Sequence, residues 1–223
     1  IFQEMWSPSV LKRLQALKNT GCWSTEKSAG QMLWGDARST LTAIAPEQRF
    51  DLILQDAFSP QRCPELWTEE FLGALATRLR PGGRLLTYSR SAAVRASLMR
   101  AGLELFSLVA TPGERTGWSS GTMAVRHGGE ICPVQGPGWR PFSTMELEHL
   151  STRAAIPFRD VTGTSTSEEI LKQRKQEQNR CELEPTNAWQ QRWGLGKQKR
   201  SSPEGTTQQG LHHHGNQQCQ KRK

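Results

Sequence analysis

Apolar and polar positions along the chain alternate between two periods, and the alternation marks out the elements. From Pro8, Val10, Leu11, Leu14 and Leu17 recur at helical spacing, with Ser7 ahead of them to cap and Gly21 behind them to stop the helix. Gln31-Met32-Leu33-Trp34 then reads as a short extended run ending at Gly35-Asp36-Ala37, and Leu41 and Ile44 predict a brief helix after it. Phe50 to Leu54 is continuously apolar apart from Asp51, the pattern of a parallel-sheet strand covered on both faces. Thr68 is placed to cap the next helix, Glu69 and Glu70 occupy its first turn where the dipole favours anions, and Trp67 is set to staple onto Leu72. Phe71, Leu75 and Leu79 line its inner face, Pro81-Gly82-Gly83 ends it, and Arg84 to Tyr88 starts a strand. Ser91 is positioned to cap a helix carrying Val94, Leu98 and Ala101, Gly102 suits its left-handed terminus, and Leu103 to Val109 is extended. Gly121 to Arg126 reads as a last short strand.

Helices alternating with strands in this way predict an open α/β sheet of Rossmann-like type with right-handed crossovers. The final strand has no helix before it and is expected antiparallel, at or near an edge. About five strands are visible where such sheets use six or seven, so the first strands are expected to be lacking and the chain, which opens on Ile1, to be a fragment. Three segments follow from composition: a partial Rossmann-like domain over 1–127, a linker and mostly polar C-terminal extension over 128–194, and a disordered basic tail over 195–223. Within the extension, Ser167 to Gln178 reads as a helix.

Charge changes this picture little. The net charge is +8, but six of the basic residues stand in the tail against Glu204 alone, so the excess permits nonspecific attraction to RNA phosphates without defining a basic face. Cys22, Cys63, Cys132, Cys181 and Cys219 show no Cys-x-x-Cys spacing and no companion histidines, which argues for reduced thiols in a cytoplasmic protein and against a zinc site. No run approaches the roughly 18 apolar residues of a membrane span, and no signal peptide is seen at the start.

Ligands of open α/β sheets sit beyond the carboxyl ends of the strands, which singles out Asp36, Asp56 and Ser89. Asp36 suits either a hydrogen bond to an exocyclic amine such as that of adenine, or the cap of the following helix. Asp56 ends a buried strand and precedes Phe58 and Pro60, an aromatic and a rigid turn able to shape a pocket, with an Asx turn as the alternative. His149 beside Glu146 and Glu148 is expected on an exposed helix face, with no metal. Arg153, Arg159, Arg174 and Arg192 suit phosphate contacts or plain solvated surface, and His212 to His214 lie in the tail.

Trp34-Gly35-Asp36-Ala37-Arg38, Phe50 to Pro60, Pro64-Glu65-Leu66-Trp67-Thr68, Arg80-Pro81-Gly82-Gly83 and Thr87-Tyr88-Ser89 together closely resemble the MnmC-like methyltransferase domain, over about residues 1 to 126. The resemblance implies a class I, S-adenosylmethionine-dependent enzyme. Its reaction is methylation of the aminomethyl group on a modified wobble uridine in a tRNA anticodon loop, giving 5-methylaminomethyl-2-thiouridine. It implies Asp56 as the catalytic residue orienting the amine, Asp36 and Ala37 beside the cofactor adenine, and Phe58, Pro60 and Tyr88 flanking the uridine. The glycine-rich loop and the ribose-binding acid of that family have no counterpart here, and Gly82-Gly83 precedes a strand instead of joining a strand to a helix, so cofactor binding by the chain alone is expected to be weak. No oxidoreductase partner domain is visible, so oxidoreductase activity is not implied. Two other readings stay open: an aminopropyltransferase of the spermidine synthase type, which expects further acids where Ala57, Ser59, Gln61 and Arg62 stand, and a non-catalytic RNA- or protein-binding remnant.

Overall fold

The computed structural model describes residues 6–109, 119–128 and 135–195. The elements run α1 (Pro8–Thr20), β1 (Cys22–Ser24), β2 (Ala29–Gln31), α2 (Ala37–Thr40), β3 (Phe50–Gln55), α3 (Glu69–Thr77), β4 (Leu79–Thr87), α4 (Ala92–Arg100), β5 (Leu103–Leu108), β6 (Gly121–Arg126), β7 (Trp139–Arg140), α5 (Thr144–His149), α6 (Ser167–Arg180) and α7 (Thr186–Arg192). Single 3-10 turns stand at Leu41–Ala43, Pro64–Trp67 and Arg153–Ala155.

Five strands form one mixed sheet in the order β3-β4-β6-β5-β7. β3 and β4 are parallel, while β6 runs antiparallel to both β4 and β5. The last long strand is therefore not at the edge, as its sequence position suggests, but between two strands that precede it. There both of its ladders are paired, and Gly121 to Val125 are buried. The sequence assigns Leu79 to the inner face of α3, yet α3 ends at Thr77, and Leu79 opens β4 opposite Phe50. The register then slips, so that Leu52 faces Arg84, and Pro81-Gly82-Gly83 forms the irregularity inside the strand. Gly83 is needed there, because a Cβ would lie 2.9 Å from the carbonyl oxygens of both Arg80 and Phe50.

The strand expected at Gln31 to Trp34 lies two to three residues earlier, at Ala29–Gln31, and pairs with β1 in a separate two-stranded ribbon. Without a sheet neighbour, Met32, Leu33 and Trp34 stay exposed, Trp34 at 75%. α1 forms over the predicted span and ends at Gly21 in the left-handed region, but Ser7 makes no side-chain cap and the apolar stripe buries no residue. α3 is capped by the Thr68 hydroxyl, which accepts from the Phe71 N–H, and Trp67 and Leu72 are wholly buried beside it. Ser91 precedes α4 but makes no side-chain cap, and Gly102 adopts φ 81° as expected.

The polar extension joins the same core. Phe158 and Ile170 pack with Trp67, Leu72, Leu75 and Leu98, and Phe158 forms a backbone bridge to Thr68. α6 starts from a reciprocal capping box between Thr166 and Glu169, one turn-scale device that explains a stable helix in so polar a stretch. The tail expected to be disordered, with His212 to His214, lies outside the described residues beyond Leu195.

Candidate active site

Asp56 follows the last residue of β3, so its carboxylate leaves the sheet at the carboxyl end of the parallel pair. The backbone around it is held from three directions. The buried Gln55 side chain donates to the Leu66 carbonyl at 2.7 Å, the Trp67 indole donates to the Phe58 carbonyl at 2.7 Å, and the Tyr88 hydroxyl donates to the Ala57 carbonyl at 2.8 Å. Ser59 closes the loop by accepting from the Arg62 and Cys63 N–H groups. Each bond contributes about 1 kcal/mol net. This arrangement explains why Asp-x-Phe-x-Pro and Pro-Glu-x-Trp-Thr occur together: the tryptophan of the second motif holds the phenylalanine carbonyl of the first.

With the main chain fixed, the side chains turn outward. Phe58 is 71% exposed, and the exposed Asp56 carboxylate has no hydrogen bond or ion pair with any described residue. Tyr88 sits edge-on to Trp67, with ring centroids 6.0 Å apart. Partial burial, then the negative charge of Asp56, pushes the Tyr88 hydroxyl up, which keeps it a neutral donor. Leu54, Asp56, Leu86, Tyr88, Leu108 and Ser120 line a cleft of about 380 Å³. The structure thus brings Asp56 and Tyr88 together in one cleft, with Phe58 and Pro60 on the adjoining loop. Burial, then the charge of Glu65, pushes the Cys63 thiol up, so it is protonated and not a nucleophile at neutral pH.

Asp36 is placed differently. It caps α2, its Oδ1 accepting from the Arg38 N–H at 2.9 Å, and the Arg38 guanidinium spans both carboxylate oxygens. These bonds hold the Asp36 carboxyl below the usual carboxylate range. Arg38 also donates to Asp160 at 2.7 Å and to the Ser165 carbonyl, tying Asp36 to the extension. Ala37 packs against the main core. Ser89, the third strand-end candidate, is buried and structural: its hydroxyl accepts from Ser91 N–H and its carbonyl from the Thr122 hydroxyl.

Glu146 to His149 do not form the exposed helix face that the sequence suggests: of the four, only Leu147 is exposed. Glu146 is fully buried, because α5 lies against the sheet and brings it to Arg95, also fully buried. Glu146 accepts from Arg95, Ser107, Arg140 and its own cap Ser143. Arg95 reaches Thr122, Ser119 and the Gly121 carbonyl with its other nitrogens. Arg95 carries no mark in the sequence, since a single arginine among Ala92, Ala93, Val94 and Ala96 looks like a solvated helix position. His149 is half-buried and stacks on Trp189 at 4.3 Å. The arginines considered for phosphates are engaged within the fold: Arg159 with Glu70, Arg192 with Glu148 and Glu184, Arg153 with the Leu183 carbonyl, and Arg174 with two carbonyls and the Phe158 ring. Among the described residues no cluster of His, Cys, Asp or Glu is set to hold a metal, and no helix is long and apolar enough to cross a membrane.

A parallel pair with an antiparallel strand inserted beside it, and a carboxylate at the strand-end cleft, define a Rossmann-like methyltransferase sheet. Residues 24–122 match the model of an S-adenosyl-L-methionine-dependent methyltransferase family. The chain is 38% identical over 82 residues to the tRNA 5-methylaminomethyl-2-thiouridine biosynthesis bifunctional protein MnmC of Campylobacter hominis, covering 37% of this chain and 12% of that protein. It is 29% identical over 146 residues to an uncharacterised protein of Methanocaldococcus jannaschii, covering 64% of this chain and 36% of the other. The crystal structure of MNMC2 from Aquifex aeolicus superimposes with a TM-score of 0.65 at 25% identity, over 79% of this chain and 53% of that one. The chain therefore spans well under half the length of these curated relatives.

The residues described here fit the family's cofactor only in part. Asp36 already accepts from Arg38 on both oxygens, which leaves it little capacity for an adenine amine. Among the described residues no strand passes through a glycine-rich turn into a helix, the arrangement that would seat the rest of the molecule. What the cleft region does present is an open carboxylate, a phenol and an exposed aromatic ring.

Proposed function

We propose that this chain supplies the amine-acceptor side of an S-adenosylmethionine-dependent tRNA methyltransferase, acting on the aminomethyl group of a modified wobble uridine. The observation that carries the proposal is the Asp56 carboxylate, held on a fixed backbone at the mouth of the cleft with no hydrogen bond or ion pair to any described residue. An aminomethyl group arrives protonated at neutral pH, and it must lose a proton before its lone pair can take a methyl group. A carboxylate facing it accepts hydrogen bonds from the nitrogen, fixes its direction and receives or relays the proton. Tyr88, neutral and anchored to Ala57, walls one side of the cleft, and Phe58 and Pro60 flank the uridine, in keeping with recognition of unstacked bases in RNA loops. Asp36 and Ala37 are the proposed contacts of the cofactor's adenine. The limited acceptor capacity of Asp36 supports only an edge contact there. The aminopropyltransferase reading is not favoured, because Asp56 is the only carboxylate among the described residues that line the cleft.

The test is transfer of labelled methyl from S-adenosylmethionine to tRNA bearing 5-aminomethyl-2-thiouridine, by the gene product that carries this chain. Asp56→Asn should lower turnover at least about 100-fold, the scale of a positioned general base, while tRNA affinity changes less than about threefold. Turnover within a few-fold of the unaltered protein, or label on any atom but the aminomethyl nitrogen, overturns the proposal.

A further inference from the structure

Beside the cleft, Arg62 lies over the exposed ring of Phe58, its guanidinium carbon 5.3 Å from the ring centroid. It is exposed and has neither an ion pair nor a side-chain hydrogen bond with any described residue. That sets it apart from the other arginines of this end of the molecule. Arg38 is spent on Asp36 and Asp160, Arg78 on the carbonyls of Ala45 and Ile44, and the exposed Arg90 donates to the Ser119 carbonyl. Holding a large aromatic ring 71% in water has a hydrophobic cost, and here the backbone bond from Trp67 keeps it in place. Arg62 is itself rooted, since its N–H donates to the Ser59 carbonyl at 2.8 Å in the same turn that positions Pro60.

We infer that Phe58 and Arg62 form a nucleotide clamp for loop RNA: the Phe58 ring, at the flank of the reacting uridine, stacks on the base next to it, and the Arg62 guanidinium takes the phosphate that follows. The inference rests on the tRNA reading above. It adds a second nucleotide and names Arg62 as its ligand. The chemistry matches the feature. Every base offers a π-face to an exposed ring, and an unpaired planar cation beside that ring meets the anionic backbone between two unstacked nucleotides. A protein partner would seek a broader apolar patch than one ring capped by a cation, and a duplex keeps its bases out of reach of that ring.

The test is equilibrium binding of an anticodon stem-loop RNA to the full chain across a series of salt concentrations, with a duplex of equal length as competitor to suppress attraction to the basic tail. Arg62→Ala should weaken binding about tenfold and reduce the slope of log affinity against log salt by roughly 0.7, one phosphate on a single strand. Arg62→Lys should restore the slope and only part of the affinity. Phe58→Ala should weaken binding by about tenfold at unchanged slope. Unfolding midpoints confirm that the exposed substitutions leave the fold intact. Affinity within twofold and an unchanged slope for Arg62→Ala overturns the clamp, as does displacement of the stem-loop by the duplex at equal concentration. The two proposals separate cleanly. Methylation of the wobble uridine with Arg62→Ala binding unchanged sinks the clamp alone, whereas Arg62-dependent binding without any methyl transfer sinks the enzymatic reading alone.

Discussion

At the carboxyl ends of β3 and β4 the main chain is tied down and the side chains of Asp56 and Phe58 are left open. Under α4 the reverse holds: Arg95 and Glu146 are sealed from water and engaged on all sides. Both regions set charged residues among apolar neighbours, and they differ in where the hydrogen bonds are directed. In the strand-end loop, side chains of Gln55, Trp67 and Tyr88 satisfy backbone carbonyls, so Asp56 and Phe58 are free to meet something else. In the α4 cluster, side chains satisfy one another, and the outcome is a clasp between the sheet and the extension. A charge that the fold satisfies holds the fold. A charge that a rigid backbone presents unsatisfied is available for chemistry.

The largest effect should come from breaking the clasp on one side. Glu146→Ala leaves Arg95 buried without its counter-charge and removes the acceptor of Ser107 and Arg140, a loss of about 3–5 kcal/mol of stability. Chemical denaturation should show that fall for Glu146→Ala, and a smaller one for the double variant Arg95→Met with Glu146→Leu, which removes both charges. Equal losses from the single and double variants would mean that packing, not charge compensation, dominates there.

The contrast also explains what could be read from the residues alone. The elements from α3 to β6 were legible because apolar runs, Thr68 and Gly102 each have one good local solution. Asp56 stood out because a carboxylate ending an apolar strand has no packing role. The place of β6 was not legible, since insertion between two earlier strands depends on pairing across the sheet and leaves no local mark. The misplaced strand near Trp34 has the same origin: Met32 and Leu33 have the composition of a strand, but a strand forms only where a neighbour offers its ladder. Arg95 and Glu146 were hidden by a different cause. Each looks solvated in its own helix, and only tertiary contact turns two surface-like residues into a buried pair.

A milder way to load the clasp is acid. Burial pushes the Glu146 carboxyl up, but the Ser143 N–H, the Ser107 hydroxyl, Arg140 and Arg95 outweigh it and bring it down to about 2. Its stabilising contribution is complete above the ordinary value of 4.5 and is lost as pH falls from there through about 2. His149 works in the same direction over a higher window: burial, then the charge of Arg95, lowers it from 6.5 to about 4, so the native state resists the proton that the unfolded chain accepts. Stability should therefore begin to fall below pH 6.5 and go on falling from 4.5 toward 2. His149→Phe, which keeps a ring against Trp189, should flatten the upper part of the profile and leave the lower part. An unchanged slope between pH 6.5 and 4 in that variant would remove His149 from the account.

The smallest effects compare two aspartates at strand-end positions. Asp36→Ala removes the α2 cap and one of the carboxylates that hold Arg38, and should cost about 1 kcal/mol. Asp56→Ala removes a carboxylate that no described group uses, and should change stability by no more than about 0.5 kcal/mol. Unfolding midpoints of the two variants, measured side by side, rank them. If Asp56→Ala proved as costly as Asp36→Ala, Asp56 would be holding the loop as an Asx-type support, and its availability to a substrate amine would lose its basis. If the order holds, conservation of structure with loss of transfer separates what the fold uses from what it presents: Asp36 belongs with the satisfied charges under α4, and Asp56 stands apart from the other described charges at the open end of β3.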